Sequence, residues 1–74
     1  MVWVDIERVD MVNEINDSYY VYFEIFGHIK RALVTKKVLK YIKADEIKEG
    51  DMIYVVKTFS KTNKPIYMIK DVKR

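Results

Sequence analysis

The chain has no cysteine and no glutamine, and only one histidine, one proline and two glycines in 74 residues. Without cysteine there is no disulfide, no thiolate zinc site and no thiol nucleophile. The single His28 falls in an expected turn, and neither Ser18 nor Ser60 has a motif around it, so nucleophilic catalysis of the serine–histidine kind has no candidates. Gly27 and Gly50 are too few and too far apart for a phosphate-cradling loop. Asp5, Glu7 and Asp10 could hold a divalent cation, but acids alternating along a strand are the ordinary pattern of a wet face. No enzymatic activity, no cofactor and no metal are expected. Long hydrophobic runs are missing too: the longest, residues 19–23, is far below the ~20 residues a spanning helix needs. Asp5, Glu7 and Arg8 break up any signal peptide, so the expectation is a soluble cytoplasmic protein without a membrane partner.

What the chain does hold is apolar and charged in quantity. Half of it is hydrophobic and 14% aromatic, which suits one globular domain over residues 1–74. A domain this small without staples must depend on dense packing. Lysine, glutamate and isoleucine are plentiful, a thermophile-like composition. The net charge of +3 hides an uneven distribution. Residues 1–27 carry six acids against Arg8 alone, a net −5, while residues 28–74 carry thirteen bases against five acids, a net +8. Such a split marks either a polyanion-binding face or oppositely charged surfaces that pair in the fold.

The most aromatic stretch is residues 19–26, which alternates as a strand does. Tyr19, Val21, Phe23 and Ile25 form a core face. Tyr20, Tyr22, Glu24 and Phe26 fall on the opposite, solvent side, where rings suit either stacking or simple cover of the outer surface. Before it, Val2, Val4 and Ile6 alternate with Trp3, Asp5 and Glu7, and the phase slips at Arg8 so that Val9 and Met11 become the apolar side. That slip predicts a bulge or bend within one long first strand. Residues 13–18 read as a turn. A third strand over 29–35 has an ambiguous phase, read here with Ala32 and Val34 inward and Lys30 wet. Residues 35–43 change to helical period, with Thr35 as N-cap and Val38, Leu39 and Ile42 on one face. The lysines around them suit a solvated face better than a binding one. Strands over 52–59 and 66–72 follow, joined by the polar loop 60–65.

The resulting order, β-β-β-α-β-β with one short helix between strands three and four, is similar to the OB-fold, a five-stranded barrel. Ile47-Lys48-Glu49-Gly50-Asp51 resembles the hydrophobic-x-x-Gly-Asp entry to the fourth strand of many such domains, although strand one lacks the usual mid-strand glycine. The resemblance implies a ligand lying across strands two and three, between the 16–18 turn and the 59–64 loop. It would there meet Tyr20, Tyr22, Phe26, Lys30, Arg31, Lys57, Phe59, Lys61 and Lys64. Rings that stack on bases and cations that follow phosphates are what single-stranded nucleic acid needs. The functional expectation is a nucleic-acid-binding module with low sequence specificity, single-stranded DNA or RNA being favoured. The alternative is a protein-interaction or homodimer module using the same aromatic face; a duplex-coating barrel is a third reading.

Overall fold

The computed structural model describes residues 2–73. Its strands are β1 (Val2–Asp5), β2 (Arg8–Asn13), β3 (Ser18–Ile25), β4 (His28–Val34), β5 (Met52–Phe59) and β6 (Pro65–Lys73), with one helix, α1 (Lys36–Ile42), between β4 and β5. They form two antiparallel three-stranded sheets, ordered β1-β5-β6 and β2-β3-β4.

This corrects the five-stranded OB-like barrel expected from the sequence. Among the described residues there are six strands, the helix follows the fourth and not the third, and the sheets stay open. The cause of the miscount lies at residues 6 and 7. The Ile6 amide donates to the Asp51 carbonyl at 2.9 Å, beside β5, while the next amide, Glu7, donates to the Tyr22 carbonyl of β3 at 2.8 Å. The chain changes sheets between these two residues, so the phase slip at Arg8 separates two strands instead of bending one. The barrel fails to close on the other side: among the described residues no backbone pairing joins β4 to β6, although the two edges pack beside each other.

The core lies between the sheets. β3 contributes Tyr19, Val21, Phe23 and Ile25, all buried as their alternation requires. β4 sends in Ala32 and Val34, and β5 and β6 add Ile53, Val55 and Ile69. Tyr67 sets its ring edge-on to Phe23, centroids 5.5 Å apart. Tyr19 is long enough to reach past the core, where its hydroxyl accepts the amide of Ile47 at 2.9 Å. Burial raises the pKa of that phenol, against a lowering by the Ile47 hydrogen bond and a smaller push upward from nearby Glu46.

The helix begins where expected. Thr35 is extended, and its Oγ1 accepts the Val38 amide at 3.4 Å. It ends on Lys43 in the left-handed conformation, with the Ala44 amide turned back onto the Leu39 carbonyl at 3.1 Å. Val38, Leu39 and Ile42 pack against the core while the lysines face water. The Gly-Asp pair ahead of β5 is a turn held from within. Gly50 takes a positive φ of 90°, and the buried Asp51 carboxylate accepts the Lys48 amide at 3.1 Å. No helix among the described residues is long and apolar enough to cross a membrane.

Candidate functional site

Because β4 and β6 do not pair, an open groove of about 940 Å³ runs along their edges. The hairpin side supplies Tyr20, Tyr22 and Phe26, β4 supplies Ile29, Lys30, Arg31 and Leu33, and β6 supplies Ile66, Tyr67 and Met68. Lys57 of β5, paired opposite Tyr67, and Val38 of the helix also line it. Among the described residues no aspartate or glutamate lines the groove. The acids of residues 1–17 are carried by β1, β2 and their connections, and none of these elements contributes to the lining. The uneven charge of the sequence thus becomes a spatial separation, and the Lys36–Asp17 ion pair at 3.6 Å links the two halves at the surface.

The two tyrosines are not bare rings. In the β2-β3-β4 sheet, Arg8 and Arg31 stand on either side of Tyr22, and Asp10 and Leu33 on either side of Tyr20. Residues opposite one another in this way share a face of the sheet. Arg8 carries its guanidinium carbon to 4.1 Å from the Tyr22 ring centre, and Arg31 reaches diagonally to 4.2 Å from that of Tyr20. Asp10 holds Arg8 from the other side, Nη2 to Oδ2 at 3.2 Å. Each exposed contact of this kind contributes about 0.5–1 kcal/mol. Arg8 therefore borders the tyrosine face without lining the groove, a contact that sequence reasoning passed over. The signal that finds it is the register, in which position 8 faces position 22.

Phe26 departs from the strand pattern. It does not extend the outer face of β3, as its even position suggested, but forms a two-residue turn with Gly27 between the paired Ile25 and His28. Both turn residues have positive φ, 51° and 79°, as the tight hairpin of type I′ needs. Gly27 adopts this freely; for a phenylalanine it costs about 1–2 kcal/mol. The ring is 87% exposed, so burial does not offset that cost.

Of the residues singled out in the sequence, Tyr20, Tyr22, Phe26, Lys30, Arg31 and Lys57 line the groove. Phe59, Lys61 and Lys64 do not. They lie in and beside the β5–β6 loop, which Ser60 folds on itself by accepting the amides of Thr62 and Lys64 on its Oγ at 3.3 and 3.2 Å. The loop stops at Pro65, which does reach the groove. Ile29, Leu33, Ile66 and Met68 were missed as lining. Once Ala32 and Val34 point inward, Ile29 and Leu33 must point out, and the same parity exposes Ile66 and Met68 opposite the buried Ile69. Among the described residues no three His, Asp or Glu side chains come together as metal ligands would.

Comparisons of the chain with protein-family models, with curated proteins and with solved structures find no significant match.

Proposed function

We propose that this chain is a nucleic-acid-binding module that takes single-stranded DNA or RNA along the β4–β6 groove, with little sequence preference. The observation that carries the reading is the lining itself: Lys30, Arg31 and Lys57, aromatic and aliphatic side chains between them, and, among the described residues, no carboxylate. Phosphates need the cations and bases need the flat apolar surfaces; a single strand presents both at once, whereas a duplex hides its bases. The lysines of α1 lie on its solvent face, away from the helix residues that pack on the core.

A second reading has its own support. Ile29, Leu33, Ile66 and Met68 are exposed along two unpaired strand edges, which is how a surface that receives another protein or a second copy is built. Competition separates the two. A fluorescein-labelled single-stranded oligonucleotide is titrated with the protein, then challenged with unlabelled single strand and with duplex. Displacement by single strand at lower concentration than by duplex supports the first reading. Absence of binding at micromolar protein and low salt, with a dimer whose population follows concentration in sedimentation, supports the second.

A further inference from the structure

The three aromatic rings on the hairpin side of the groove are not equivalent, and their differences assign them different work. Tyr22 already carries the Arg8 guanidinium at 4.1 Å over its ring, and Tyr20 carries Arg31 at 4.2 Å. A base can use such a ring only from the other side or after the arginine leaves. Arg31 gains from the arrangement: a planar guanidinium held on a ring is oriented before any ligand arrives and keeps N–H edges for phosphate oxygens, whereas Arg8 gives an edge of its own to Asp10. Phe26 is the opposite case. Among the described residues it makes no ring or cation contact, and it is 87% exposed at the tip of the β3–β4 turn. The first position of this turn favours asparagine, aspartate or glycine, and phenylalanine stands there at φ 51° instead. The two-residue turn between paired strands fixes the backbone that carries the ring and leaves both of its faces open to a ligand.

We infer that Phe26 is the ring on which a base of the bound strand stacks, and that Arg31, held on Tyr20, meets its phosphates. The inference rests on the nucleic-acid reading above and sharpens it. The groove beside Phe26 continues through Ile29, Lys30 and Arg31, with no carboxylate among the described residues that line it, so a base on the ring has cations next along the chain for its phosphates. Stacking on a phenylalanine reads a base's face and not its edge, which makes the site tolerant of sequence.

The test uses Phe26→Asn, because asparagine accepts a positive φ and preserves the turn while removing the ring. The probe is a fluorescein-labelled oligothymidine of about twelve nucleotides, read by anisotropy, alongside a probe of equal length made of abasic sites. F26N is expected to unfold at a higher temperature than wild type, yet to bind oligothymidine roughly 5- to 100-fold more weakly. Its salt dependence is expected to match wild type, and its affinity for the abasic strand to be unchanged. F26W is expected to retain wild-type affinity. Arg31→Ala is expected to do the reverse, lowering the log–log salt slope by about 0.7 while weakening both probes alike. Wild type that binds oligothymidine with F26N indistinguishable from it overturns this inference alone. Wild type that binds neither probe overturns it together with the function it rests on.

Discussion

The guanidinium of Arg8 stands 4.1 Å above the ring of Tyr22, while Asp10 holds the same guanidinium at 3.2 Å from its other side. All three side chains belong to one face of two adjacent strands, and the register that pairs Arg8 with Tyr22 and Asp10 with Tyr20 brings them together. Arg8→Ala should therefore lower stability by only about 0.5–1 kcal/mol, since the group is largely in water. A double-mutant cycle with Tyr22→Leu in urea should return a coupling of similar size, reduced by added salt. A coupling indistinguishable from zero would mean that the stack does not persist in solution.

Tyr19 is the buried phenol whose hydroxyl accepts the Ile47 amide at 2.9 Å. Tyr19→Phe should cost about 1–3 kcal/mol, because it strands that amide in a buried position. Its pKa is raised above 10.0, chiefly by burial. The unfolded chain therefore loses this proton at lower pH than the folded one. The stability the neutral phenol supplies is complete below pH 10.0 and is lost as pH rises through the folded value. Urea midpoints at about pH 9 and about pH 11 should fall less steeply in the phenylalanine variant than in wild type.

Asp51 is 4% exposed and caps the turn that delivers β5, its carboxylate accepting the Lys48 amide and its carbonyl the Ile6 amide. Asp51→Ala should destabilise by about 1–3 kcal/mol, whereas Asp51→Asn, which retains an acceptor, should lose less. Hydrogen exchange gives the local check. Protection of the Lys48 amide should drop in the alanine variant, and that of core β3 amides should fall only by the global change.

Gly27 offers a cleaner case of backbone conformation alone. A side-chain carbon added there would meet nothing within 4 Å, yet φ is 79°. Gly27→Ala should thus cost about 1 kcal/mol from conformation without any packing change, seen as a lower urea midpoint with an unaltered slope.

How far the sequence foretold this molecule depends on the range of the interaction involved. The inward set of β3 and the Thr35 cap were legible because alternation and capping are local properties of a few neighbouring residues, whereas the phase of β4 was ambiguous in the sequence and is decided by the burial of Ala32 and Val34. The break at Ile6 and Glu7 left a local trace in the phase slip, but its meaning depended on partners at Asp51 and Tyr22, far along the chain. The groove exists because β4 and β6 do not pair, and no local pattern records an absent pairing. The arginine covers on Tyr20 and Tyr22 likewise come from cross-strand register. Phe26 was misplaced for a different reason. Phe-Gly is not the usual signature of a tight turn, so the alternation of β3 was carried one residue too far. Lys61 and Lys64 were placed at the ligand by resemblance alone, and the way Ser60 closes their loop leaves them outside the groove lining.

The most direct test of the central claim is the affinity of the wild-type protein for a single-stranded oligonucleotide as a function of salt. The three cations that line the groove, Lys30, Arg31 and Lys57, should give a log–log slope of about −2. Lys30→Ala with Lys57→Ala should bring it about 1.4 units closer to zero. Binding that is absent at low salt and micromolar protein, or that persists with no dependence on salt, would contradict the claim that this groove holds the phosphates of a single strand.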